Sequence, residues 1–135
     1  MMRVLSALLV GLFSGFLTYM IFGLVIGPRD VSPLFVMTTF LGGWAFTTYV
    51  VLIGAATAPQ VWSRGGLLGA VEWLLLGLTM WVYSGRTLAE NENAGDALGA
   101  ALNPIIGIGL AMCMAIPCLI IYVMASRVSN KSHSD

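Results

Sequence analysis

The sequence predicts an all-α membrane protein: a four-transmembrane-helix bundle with both termini on the cytoplasmic side. Three observations carry that prediction. The 135 residues are 59% hydrophobic and only 9% charged, against about 25% charged in ordinary soluble domains. The apolar residues gather in four runs, each close to the ~20 residues that cross roughly 30 Å of hydrocarbon. The breaks between the runs hold most of the prolines and charges. A soluble chain this short buries too small a fraction of its surface to hide so much apolar area; lipid removes the difficulty. One membrane domain over 1–135 is expected.

The first run is Val4 to Ile26, without a charge. It exceeds the ~7–15 apolar residues of a signal peptide, and Gly27-Pro28-Arg29-Asp30 offers no small-residue cleavage site, so a retained helix over 4–26 is expected. Gly27-Pro28 and Pro33 bracket a tight turn, because proline removes a donor and restricts the residue before it. The second helix is expected over 34–57, ended by Ala58-Pro59-Gln60, and the third over 66–84. Gly85 to Leu102, with Glu90, Asn91, Glu92, Asn93 and Asp96, reads as the longest connection. Within it, Ala94 to Leu102 can form an amphipathic lead-in along the membrane surface. Asn103-Pro104 then reads as an N-cap followed by proline at the first helical position of a fourth helix over 103–125. Residues 126–135 form a polar tail. Backbone groups in lipid must be satisfied within each segment, which makes the spans helical.

Orientation follows from the basic residues. With the N-terminus inside, Arg3, Arg64, Arg127 and Lys131 are cytoplasmic and Arg29 and Arg86 are outside, the distribution the positive-inside rule favours. Trp62, Trp81, Tyr83 and Tyr122 fall near the expected interfaces as an aromatic belt. The net formal charge is zero and no basic run suggests nucleic acid. The expected surroundings are the lipid bilayer of the cell membrane, with a membrane-protein partner or a second copy as company.

Small residues recur at helical spacing in each span. Gly11 and Gly15 mark the first helix, Gly42 and Gly43 the second, Gly69 the third and Gly107 the fourth. In lipid, close backbone approach and interhelical hydrogen bonds replace the hydrophobic effect between helices, so these residues are expected at packing faces, within the chain or in an oligomer. Pro117, inside the fourth helix, frees the carbonyl of Cys113 and is expected to kink it.

Glu72 is the ionisable residue placed deep in the membrane, about three residues from the middle of the expected third span. An ionised acid at a helix centre costs about 2.5–3.5 kcal/mol even on the gentler scales. The neutral acid is the cheaper form, and it needs a hydrogen-bond partner. Thr38, Thr39, Thr47, Tyr49 and Asn103 are candidates. Glu72 then reads as a proton or cation site, as a protonated donor that fixes helix register, or, if the span slips, as a headgroup-level residue near Arg64.

Other chemistry finds no support. The single histidine, His133, is in the tail, so bis-histidine haem ligation has no source of ligands. Met112, Cys113, Met114 and Cys118 include sulfur ligands, but five residues rotate a helix by about 140°, which points the two cysteines apart. No metal site, cofactor or catalytic set is expected, and no enzyme.

The segment Ser63-Arg64-Gly-Gly-Leu-Leu-Gly-Ala-Val-Glu72-Trp73 resembles one in small uncharacterised four-helix membrane proteins of haloarchaeal type, which implies the same architecture and no activity. Small multidrug-resistance transporters share the size and one membrane glutamate, but theirs is on the first helix, which here has none. Phe40-Leu-Gly-Gly-Trp-Ala-Phe-Thr-Thr-Tyr49 resembles the threonine- and phenylalanine-rich segment of fluoride channels. That segment belongs to their third helix, and their polar asparagine and arginine positions have no counterpart in order here. The sequence thus favours an accessory or assembly subunit, or a homo-oligomer, working by helix–helix association. Its alternative is a small proton- or cation-coupled transporter or channel with Glu72 as coupling residue.

Overall fold

The computed structural model describes residues 1–26, 32–90 and 94–131; the side chains of 84–90, 94–101 and 103 are outside that description. The chain is helical in four elements: α1 (Met2–Ile26), α2 (Pro33–Leu52), α3 (Ala58–Glu90) and α4 (Ala94–Lys131). Each is long and apolar enough to cross a membrane, over Met2–Ile26, Pro33–Leu52, Ala58–Tyr83 and Pro104–Lys131. The Gly27-Pro28 turn expected from the sequence lies outside the described residues.

The helix ends explain where sequence and structure differ. Ser32 caps α2, its hydroxyl accepting from the Phe35 amide at 3.2 Å, with Pro33 in the first turn, where its missing N–H is no loss. The second helix stops at Leu52 rather than 57, because Gly54 takes a left-handed φ of +66° and turns the chain. Two arginines close over this turn. Arg64 donates to the Ile53 and Gly54 carbonyls, and Arg3 donates to the Ala55 carbonyl at 2.8 Å. Positive charge at a helix C-terminus meets the negative end of its dipole.

The third helix begins at Ala58 rather than 66. Pro59 falls in its first turn, and the Gln60 side chain accepts from the Ala56 amide at 2.7 Å. At their far ends α3 and α4 also run past the apolar segments, to Glu90 and from Ala94. Alanine and leucine are abundant there and favour helix whether or not lipid surrounds it. The helices therefore outlast the hydrophobic runs that mark them. For the same reason Asn103-Pro104 is not a helix start: α4 continues through both Pro104 and Pro117, and it carries the expected polar tail as far as Lys131.

The helices pack in the order α2–α1–α3–α4. Gly15 of α1 lies against Phe40 and Trp44 of α2, while Gly11 faces Trp44 and Thr48, so these two helices are antiparallel. Gly65 of α3 lies against Val10 of α1, and α3 runs alongside α1 in the same direction. Between α3 and α4, Ser63 bonds Ser126 at 2.8 Å and Gly77 meets Ala111, an antiparallel pair. α2 touches α3 only slightly, and no α-carbon of α1 or α2 comes within 8 Å of one in α4 among the described residues. The helices therefore form an open row rather than a closed bundle. Arg3, Arg64, Arg127 and Lys131 share one end, where Ala7, Val51, Ala55 and Val61 form a small buried core. Large side chains such as Leu74, Leu75 and Ile116 face outward, as they can where lipid is the solvent.

Candidate functional site

With α3 crossing over Ala58–Tyr83, Glu72 lies within about 3 Å of the midpoint of its span at 1.5 Å per residue. Lys and Arg are absent from 4–26, 33–52, 65–83 and 104–126. Arg64, two turns away, is engaged by the α2 carbonyls. Among the described side chains, none supplies a positive charge at this depth.

The partner of Glu72 is Ser14. The Ser14 hydroxyl donates to Glu72 Oε1, and Ser14 Oγ is also 2.6 Å from Thr47 Oγ1. Ser14 and Thr47 are 3% and 5% exposed. Each hydroxyl has one proton to give and lone pairs to receive. With the carboxylate ionised, the chain runs from Thr47 through Ser14 to Glu72. With the acid protonated, Glu72 can donate and the Ser14 hydroxyl can turn toward Thr47. Three helices thus meet in one reversible line of hydrogen bonds. The middle link is available because Gly11 and Gly15 let α2 close onto α1 on either side of it.

Two cavities reach this line from different sides. One, about 420 Å³, lies between α1, α3 and α4, with Glu72 and Ser14 among its walls; its surface is otherwise overwhelmingly apolar. The other, about 400 Å³, lies between α2 and α3 beside Thr18, Gly42 and Phe46. Glu72, Thr47 and Leu68 line both. The cavities exist because the row stays open: α4 folds beside α3 without reaching α1, and α2 barely reaches α3.

The other residues singled out by sequence take varied places. Thr47 belongs to the cluster, but through Ser14 and not directly. Thr38 and Thr39 bond carbonyls of their own helix, at Leu34 (2.7 Å) and Phe35 (2.8 Å), the usual resort of a hydroxyl in a membrane helix. Tyr49 is 65% exposed, on a face of α2 turned away from the cluster. The Asn103 side chain lies outside the described residues. A Cβ added at Gly11, Gly15, Gly43, Gly69 or Gly107 would press on a neighbouring helix, whereas one at Gly42 would meet nothing within 4 Å. Gly42 borders the second cavity instead of a helix. Pro117 lines the first cavity. Cys118 faces Gly69 while Cys113 is exposed, so the two thiols are apart.

Sequence reasoning missed Ser14 as the partner of Glu72 and Gly66 and Gly77 as contact points. Ser14 was legible as part of a small-residue stripe, but only the pairing of α1 with α3 shows which stripe faces the acid. Trp44, deep in α2, spends its polar atom on packing: Nε1 donates to the Leu8 carbonyl at 3.1 Å. Compared with protein-family models, with curated proteins and with solved structures, the chain matches none.

Proposed function

We propose that this chain is a small multipass protein of the cell membrane, a transporter or channel in which Glu72 takes up and releases a proton or small cation on its way across. The observation that carries the reading is the position of Glu72 in the walls of two separate cavities, at the end of a hydrogen-bond line that can run in either direction. An ionisable group at this depth with cavity space beside it can take up and release a proton or a counter-charge, and such groups inside a membrane commonly mark proton or ion pathways. The small-residue stripes first suggest a partner protein, but most of their glycines are occupied within the chain.

Purified protein reconstituted in liposomes containing a pH-sensitive dye tests the reading. Wild type should dissipate an imposed proton gradient faster than empty vesicles, and Glu72→Gln should return the rate to that of empty vesicles. Wild-type vesicles as tight as empty ones would reject it.

The N-in, C-in orientation belongs to the same proposal, supported by the four basic residues gathered at one end. Single cysteines in a Cys113→Ala, Cys118→Ala background test it: one at Val128 should resist impermeant reagents added to intact cells. A second reading is supported by the row itself. Among the described residues α4 packs its backbone closely against α3 only, and a Cβ at its Gly109 would meet nothing within 4 Å, which supports an accessory role by helix association. A stoichiometric companion recovered with the tagged protein from native membranes in mild detergent would favour that role.

A further inference from the structure

The α1–α3–α4 cavity has features that the coupling role alone does not require. Its volume of about 420 Å³ falls in the range of pockets for small organic ligands, roughly 300–1,000 Å³, and far exceeds what a proton or bare metal ion needs. Its lining includes four aromatic side chains, Phe13 and Phe16 from α1 and Trp62 and Trp73 from α3. Among the described residues of its walls, Glu72 is the single charged side chain. A hard metal cation is poorly served there, because such ions take about six to eight oxygen ligands and this wall offers one carboxylate and two hydroxyls. A cation that brings its own apolar surface fits better. Its charge meets the carboxylate, its body lies against ring faces that attract positive charge, and the missing counter-charge at this depth is supplied.

We propose that this cavity binds an organic cation, a hydrophobic amine or quaternary ammonium, with the charge beside Glu72 and the apolar body among Phe13, Phe16, Trp62 and Trp73. The proposal rests on Glu72 being the working residue and names what it works on. Ser14, itself bonded to Thr47, holds Glu72 by Oε1, which leaves Oε2 for the ligand. The cavity lies where the backbones of α1 and α4 stand apart among the described residues, and such amphipathic molecules would reach it from the bilayer, where they concentrate.

Binding of tritiated benzyltrimethylammonium to the purified full chain in phosphatidylcholine nanodiscs tests this. Wild type should bind saturably above empty nanodiscs, at one ligand per chain. Glu72→Gln should bind at least tenfold more weakly, and Trp73→Leu, which leaves the acid in place, several-fold more weakly. Leu74→Ala, on the lipid-facing surface, should match wild type. Tetramethylammonium, with the charge but no aromatic body, should compete poorly. The proposal is overturned if wild type shows no saturable binding, or if Glu72→Gln and Trp73→Leu both bind as wild type does. The two readings fail separately. Proton flux without cation binding would remove the ligand class and keep Glu72 as coupling residue, while binding without flux would keep the site and remove the coupling.

Discussion

Gly66 offers the sharpest test of the packing. A Cβ there would stand 2.6 Å from the Cys118 carbonyl oxygen and 2.9 Å from the Tyr122 amide nitrogen. Both are backbone atoms of α4 and cannot rotate aside. Ordinary contact begins near 3.4 Å, so Gly66→Ala must part α3 from α4 locally by about 0.8 Å. A gap of that size forfeits about a quarter to a half of each dispersion contact of roughly 0.1–0.2 kcal/mol. Over roughly thirty atom pairs around the crossing, the loss is about 1.5 kcal/mol, in the usual range of about 1–3 kcal/mol for overpacking. Alanine also favours helix over glycine, by about 1 kcal/mol in water, which would mask part of the effect. Gly109→Ala, with nothing within 4 Å, gains the same propensity without the clash. The difference between the two variants should therefore be about 1.5 kcal/mol, read as unfolding free energy by steric trapping in bicelles. Equal stabilities would mean that α3 and α4 do not cross at Gly66.

Three further outcomes follow from the contacts. Ser14→Ala should lower stability by about 1 kcal/mol, since interhelical hydrogen bonds in membranes average about 0.6 and reach about 1.7 kcal/mol; a double-mutant cycle with Glu72→Gln that shows no coupling would refute the pairing. Trp44→Phe, which keeps a ring but loses the donor to Leu8, should cost less than about 1 kcal/mol, and Trp44→Ala distinctly more, because the ring also packs against Gly11. Arg3→Gln and Arg64→Gln should each weaken the α2 terminus by about 0.3–1 kcal/mol, seen as faster amide exchange at Ile53 and Ala55 with the rest of α2 unchanged.

The spans were legible in the sequence because hydrophobicity and length are summed over twenty residues and survive local ambiguity. Helix ends were less so, for two reasons visible at particular residues. Thr57-Ala-Pro-Gln60 has the spacing of a capping box, but only half of it engages: Gln60 accepts from the Ala56 amide, one residue early, while the buried Thr57 hydroxyl has no partner, so the start of α3 at Ala58 lies beyond what the apolar run marks. At Glu90 and Ala94 the membrane boundary and the helix boundary are different things. The acid itself was found from sequence, since a lone charge in an apolar run is conspicuous. Its partner was not, because Ser14 is 58 residues away and only the neighbour order of the helices chooses it over Thr38, Thr39 or Tyr49. The open row was equally hidden: small-residue stripes say that helices approach, not which ones leave a gap.

The pairing of helices also sets an order of events during synthesis. The N-terminal part of a chain is made first, and α1 with α2 already forms a complete antiparallel hairpin: Gly11 and Gly15 find Trp44, and Ser14 finds Thr47, before α3 exists. When α3 arrives, its glutamate would otherwise enter lipid at a cost of about 2.5–3.5 kcal/mol. It meets instead a ready-made pair of hydroxyls at the same depth. The first hairpin thus holds ready, before α3 is made, the hydroxyl that its glutamate will bond.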